Sequence, residues 1–181
     1  MKKMLLVTAI AMVFILFVMI PRALASDPSP KSAAIYDTLA NTSTQISDAL
    51  TLAKRTNRRI LIQWGANWCG WCRLLHSMFQ NDKLVHRILD TNYVWVLADV
   101  GTKGKNAELL AKYGVDPKKG IPFLTILDNS GSVVANQDTG TLETGDKEHP
   151  GHDRAKVISF LASNAVKKSS SSCEPPPGTG P

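Results

Sequence analysis

Residues 59–72, RILIQWGANWCGWC, run a compact apolar segment straight into two cysteines three apart, and this junction constrains the fold more than any other stretch of the 181-residue chain. Ile60, Ile62 and Trp64 alternate with other residues, which predicts a buried strand over 59–66. After Cys72, the residues Leu74, Leu75, Met78 and Phe79 fall at i, i+1, i+4 and i+5, one apolar face of a helix that begins at about Cys69. The cysteines therefore sit where a strand hands the chain to a helix.

The rest of the chain extends that pattern. Ile35, Leu39, Ile46, Leu50 and Ala53 predict a helix from Ser32 to about Lys54, interrupted by the polar residues 41–44. A short helix follows over 82–89, a strand over 93–100 (YVWVLADV), and a helical segment over 106–114 that stops at Gly114. The run IPFLTIL, 121–127, the turn DNSG and residues 132–136 read as two close strands. A last helix over 153–164 turns Val157, Ile158, Phe160 and Leu161 inward. Strand–helix–strand order implies parallel pairing and the late hairpin implies antiparallel pairing. The expected fold class is α/β, with a mixed central β-sheet flanked by helices on both faces.

The first residues form a unit of their own. Lys2 and Lys3 lead into Met4 to Ile20, whose one polar member is Thr8, and Ala23-Leu24-Ala25 follows. This order predicts a signal peptide over 1–25 cleaved after Ala25; the alternative is an uncleaved anchor, since seventeen residues is near the lower limit for spanning a bilayer. Either way the remainder is exported, because the two lysines favour staying inside. Residues 26–31, SDPSPK, read as a linker, 32–166 as the folded domain, and the Ser- and Pro-rich 167–181 as a disordered tail carrying Cys173. Removing the leader takes Lys2, Lys3 and Arg22 from a formal charge of +6, leaving about +3. That balance does not argue for nucleic acid. The cluster Lys54, Arg55, Arg58 and Arg59 reads as cations complementing a helix C-terminus and facing water.

Cysteines at i and i+3 can hold a metal, form a structural disulfide, or serve as a redox pair. Zinc needs further ligands, and only Cys173 or the His149 and His152 of EHPGHD could supply them, at no recognised spacing. A disulfide closing so small a loop restrains little chain entropy. Redox use remains, and it has positive support. A cysteine at the first turn of a helix has its thiolate favoured by free backbone N–H groups and the helix dipole. Cys69 occupies that turn. Gly70 allows close approach of another backbone, and Cys72, one turn on, can reach the same sulfur. Trp68 and Trp71 offer a flat apolar rim for polypeptide, or pack partly into the core.

WGANWCGWCRLLHSMF after a buried strand, followed about fifty residues later by GIPFLTILDNSG, resembles the thioredoxin-like superfamily, in particular exported bacterial thioredoxin-domain proteins with a Trp-Cys-Gly-x-Cys site. The resemblance covers about residues 32–165. It implies a thioredoxin fold, Cys69 as attacking thiol, Cys72 as resolving thiol, and Pro122 as a cis-proline facing them, with Ile121 offering backbone hydrogen bonds to a bound peptide. The chain departs from the family pattern in three places. Gln63 stands where a buried acid is expected, YVWVLAD lacks the expected Lys, and Trp71 replaces the familiar Pro. Proton transfer to Cys72 would then use water or another group. Asp99 and Glu143 are available acids, though such positions are most often turn or surface residues. His76 and His86 read as solvated or capping; Arg73 could favour a nearby thiolate but reads first as a surface charge.

The expected function is an exported, periplasmic thiol:disulfide oxidoreductase that exchanges disulfides with cysteine-containing exported proteins, needs a membrane redox partner and requires no organic cofactor or metal. The alternative is a thioredoxin-fold binding module that holds an extracytoplasmic partner on Trp68, Trp71 and Ile121. The direction of electron flow stays open.

Overall fold

The computed structural model describes residues 33–167. The expected leader over 1–25, the linker over 26–31 and Cys173 lie outside the described residues. The first helix, α1, spans Thr42–Thr56, because Asn41 is its N-cap: the Asn41 side chain accepts the Thr44 N–H at 3.0 Å. It ends at Asn57 in the left-handed region, φ 50°.

The expected helix start at Ser32 is therefore corrected. Residues 33–41 follow an irregular path, and Asp37 Oδ1 accepts the N–H groups of Leu39 and Ala40, a local bond that competes with helix. Leu39, counted on the apolar face, is 94% exposed. The basic cluster is corrected as well. Lys54 and Arg55 fall in the last turn of α1, but Arg58 and Arg59 lie beyond it. Arg58 donates to the Asp90 and Tyr93 carbonyls at 3.2 Å, and Arg59 to the Asn164 carbonyl at 2.7 Å.

The further elements are β1 Arg59–Gly65, α2 Gly70–Asn81, α3 Lys83–Asn92, β2 Tyr93–Asp99, α4 Ala107–Lys112, β3 Phe123–Leu127, β4 Val133–Asp138 and α5 Arg154–Ser163. Short 3₁₀ turns cover Pro117–Lys119 and Thr139–Leu142. Asp82 caps α3 through the N–H groups of Leu84 and Val85, and Asp153 caps α5 through those of Ala155 and Lys156. The run expected as one strand over 121–127 begins pairing at Phe123, after the cis Ile121–Pro122 bond. The final strand reaches Asp138, two residues past the expected end.

The sheet order is β2-β1-β3-β4, with β1 parallel to β2 and antiparallel to β3, and β3 antiparallel to β4. Alternation along β1 separates two cores. Ile60, Ile62 and Trp64 pack with Ile46, Ala49 and Ala53 of α1 and with Leu110 of α4. Leu61 packs on the other face with Leu75 and Phe79 of α2, Val85 and Leu89 of α3, and Val157 and Leu161 of α5. Ile158 and Phe160, expected inward, are half-buried at the margin of that second core. The fold is α/β, a mixed four-stranded sheet flanked by helices on both faces, as expected. No helix among the described residues is long and apolar enough to cross a membrane.

Candidate active site

β1 is buried along nearly its whole length, so its C-terminal end is fixed by both cores, and it delivers the chain to residues 66–69. The Cys69 N–H donates to the Ala66 carbonyl at 3.1 Å, a turn that swings Cys69 into the N-cap position of α2. Its Sγ accepts the Cys72 N–H at 3.1 Å. The helix terminus thus points a backbone donor at the sulfur that the sequence assigned to attack, a placement that favours its thiolate. The two sulfurs are bonded to each other as a disulfide.

The two cysteines differ in access. Cys72 is fully buried, while Cys69 retains a little surface. Cys69 Sγ lies 3.5 Å from the carbonyl oxygen of Ile121, which places the Ile121–Pro122 cis bond directly against the sulfur. Pro122 is held from behind, because the buried Thr139 hydroxyl donates to its carbonyl. Gly70 is exposed and a Cβ built on it would meet nothing within 4 Å, so the sulfur pair can be approached from that side.

The tryptophans divide the roles. Trp68 is 72% exposed and anchored by its indole N–H to the Gly101 carbonyl at 3.1 Å. Trp71 is half-buried and meets His152 edge-on, ring centroids 5.5 Å apart. Beside Trp68 opens a mostly apolar cavity of about 630 Å³ that also takes in Val100, Leu110, Ile121 and Phe123.

Under Cys72 the site holds groups that sequence reasoning missed. Tyr36 is 1% exposed and belongs, with Cys69, Cys72 and Ala66, to a small buried cluster of its own. Gln63 Nε2 donates to the Tyr36 hydroxyl at 2.8 Å and to the Cys72 carbonyl at 3.4 Å. Burial is the main cause that pushes the Tyr36 phenol well above its ordinary range. Asn67 ties this segment down, and Arg73 donates in turn to the Asn67 carbonyl at 2.7 Å, so it is a clamp on the active-site turn rather than a free surface charge. Tyr36 falls beside Ile35 on the apolar face of the helix predicted there, so the sequence carried no signal for this role.

Other expectations are corrected. Asp99 is not a surface residue: it is 3% exposed, paired with Lys105 Nζ at 2.6 Å, and covered because Lys105 also donates to the Thr38 carbonyl. His76 is half-buried and lies against Trp95, centroids 5.0 Å apart; burial first and Arg73 second hold it below the ordinary imidazole range. His86, by contrast, is exposed as expected, and pairs with Asp90. His152 is 5% exposed with no hydrogen-bond partner for either ring nitrogen among the described residues, and burial lowers its pKa to about 4. Glu143 is half-buried and bridges His152 only through its backbone.

The thioredoxin-like family model matches residues 40–129. The crystal structure of a disulphide isomerase from Xylella fastidiosa Temecula1 is similar over 73% of this chain and 97% of its own, at 30% identity and a TM-score of 0.62. The chain belongs to the thioredoxin-like superfamily. A thioredoxin from Thermus thermophilus matches at 22% identity, 65% of this chain and 81% of its own, with TM-score 0.47. The C-terminal domain of DsbD from Neisseria meningitidis, in the oxidised form, matches at 20% identity, 69% and 97%, with TM-score 0.49. No curated protein matches the sequence. This thioredoxin-like domain carries its Cys-x-x-Cys pair at the strand-to-helix junction, an arrangement that supports thiol–disulfide chemistry in general.

Proposed function

We propose that this chain is an exported thiol:disulfide oxidoreductase that exchanges disulfides with protein substrates through Cys69 and Cys72. The observation that carries the reading is the placement of Cys69 Sγ, which receives the Cys72 N–H at the start of α2 and stands 3.5 Å from the Ile121 carbonyl. That is where a sulfur must lie to be both activated and within reach of a peptide strand paired to Ile121. The similar disulphide isomerase adds weight to exchange over static binding.

In the oxidised protein, a substrate thiolate attacks Cys69 Sγ. The Cys69–Cys72 bond breaks, its electron pair leaves on Cys72 Sγ, and a mixed disulfide joins substrate to Cys69. A second substrate thiolate then attacks the substrate sulfur, and Cys69 departs as a thiolate that the Cys72 N–H stabilises. In the reverse direction Cys69 attacks a substrate disulfide and Cys72 resolves the mixed species. Trp68, Trp71, Gly70, Ile121 and Pro122 form the surface on which the substrate rests. A membrane redox partner would reset the pair, and the apolar leader with its Ala-x-Ala site supports export to the space where such partners act.

The test is differential alkylation after reduction together with turnover of a model protein disulfide. Cys69 should alkylate much faster than Cys72 at neutral pH, and the wild-type protein should turn the disulfide over. A protein inert in exchange that binds partners equally well with both cysteines as Ser is a binding module instead. Export is checked separately: intact mass of secreted protein should give a chain starting at Ser26.

A further inference from the structure

Gly65 is the last residue of β1, and a Cβ built on it would lie 2.1 Å from the Tyr36 hydroxyl oxygen and 2.8 Å from Cys72 Sγ. Both distances are below any real Cβ contact, so the position admits only glycine without displacing Tyr36. The phenol oxygen and the sulfur border the same small space that a side chain would fill. No hydrogen bond joins them in the disulfide state.

The direction of the Tyr36 proton follows from its neighbours. Gln63 Nε2 is within reach of the Tyr36 oxygen and of the Cys72 carbonyl oxygen. A carbonyl can only accept, which keeps the amide nitrogen on this side. Tyr36 therefore receives a hydrogen bond from Gln63 and keeps its own O–H to give. Its hydroxyl has no other hydrogen-bond partner among the described residues, and the residue is 1% exposed. A buried hydroxyl with a free proton calls for an acceptor.

We infer that the Tyr36 O–H donates to Cys72 Sγ when that sulfur leaves as a thiolate, so that Tyr36, aimed by Gln63, serves the resolving cysteine in the place where the family pattern has a buried acid. The inference rests on the exchange role proposed above. When a substrate thiolate attacks Cys69, the electron pair of the broken S–S bond comes to rest on Cys72 Sγ, buried among apolar groups. A hydrogen bond from Tyr36 stabilises that charge without proton transfer, and the phenol stays protonated throughout. The same bond holds the thiolate for the return attack on the mixed disulfide. Other ionised groups around the pocket are engaged elsewhere: Asp99 in an ion pair with Lys105, and Arg73 in a hydrogen bond to the Asn67 carbonyl.

The test titrates Cys72 alone, in a Cys69→Ala chain that also carries Cys173→Ser, by thiolate ultraviolet absorbance. Tyr36→Phe should raise the Cys72 pKa by about one unit, an approximately tenfold loss of thiolate near neutral pH. With Cys69 restored in the Cys173→Ser background, the same change should slow resolution of a Cys69 mixed disulfide by a similar factor and leave the Cys69 titration unmoved. Should Tyr36→Phe fail to fold, Gln63→Met, which keeps the phenol but removes its donor, should shift Cys72 the same way by less. An unchanged Cys72 titration in a folded Tyr36→Phe chain, or in Gln63→Met if that is the variant that folds, overturns the assignment. A wild-type protein inert towards disulfides overturns the exchange role instead, whereas the titration, read in a chain that cannot exchange, bears on Tyr36 alone.

Discussion

The Asn67 side chain grips the Tyr36 backbone at both ends, its Oδ1 accepting the Tyr36 N–H at 2.9 Å and its Nδ2 donating to the Tyr36 carbonyl at 2.8 Å. Oδ1 also accepts the Ile35 N–H at 2.8 Å. A residue two before Cys69 thus fixes a segment thirty residues upstream. Asn67→Ala removes all three bonds. We predict a loss of about 2–3 kcal/mol by urea unfolding and faster alkylation of Cys72 in the reduced protein, because Tyr36 no longer seals it.

Roles within the pair separate by trapping. Cys72→Ala should accumulate reductant-sensitive adducts with exported cysteine-containing proteins, since the mixed disulfide on Cys69 has lost its resolver. Cys69→Ala should give few, because Cys72 is fully buried. Equal adducts on both variants, seen on non-reducing gels, would dissolve the assignment.

Trp64 is fully buried in the sheet, and its indole N–H donates to the Thr125 hydroxyl at 3.0 Å, which in turn donates to Asn136 Oδ1 at 2.8 Å. Thr125→Val keeps the shape and removes the acceptor. The orphaned indole should cost about 1–3 kcal/mol, read as a lower urea midpoint at unchanged slope. Disulfide exchange should persist, since both residues lie on the face away from Cys72.

His152 supplies a pH dependence. Its folded pKa is lowered to about 4 from the ordinary 6.5, so between these values the unfolded chain binds a proton that the folded one refuses. Its contribution to stability is full above pH 6.5 and is lost as pH falls towards 4. The loss should reach about 3 kcal/mol at most. His152→Phe should flatten the stability profile across that window in urea titrations; an unchanged slope would mean that the ring is solvated in solution. Asp82, held down to about 2 chiefly by Arg154, loses its contribution only at lower pH, so the two windows do not overlap.

The junction of β1 with Cys69, the order of strands and helices, and the helix-terminal placement of the attacking sulfur were all legible in the sequence, because each is a local matter. Period-two alternation makes Ile60, Ile62 and Trp64 a buried strand, and a cysteine just before an apolar helical face becomes an N-cap wherever the domain puts it. Ile121 and Pro122 were reached through resemblance alone; nothing in their spacing says that a carbonyl fifty-two residues from Cys69 will stop 3.5 Å from its sulfur. Tyr36, Asn67 and Asp99 needed the tertiary structure. A periodicity count placed residues 33–41 on a helix, but Asp37 and Asn41 satisfy the local backbone, and the side chains of Asn67 and Lys105 hold the segment from afar. Burial of Asp99 and the closing of Tyr36 over Cys72 follow from that segment lying across the end of the sheet. Long-range hydrogen bonds decide it, and they leave no periodic trace in sequence.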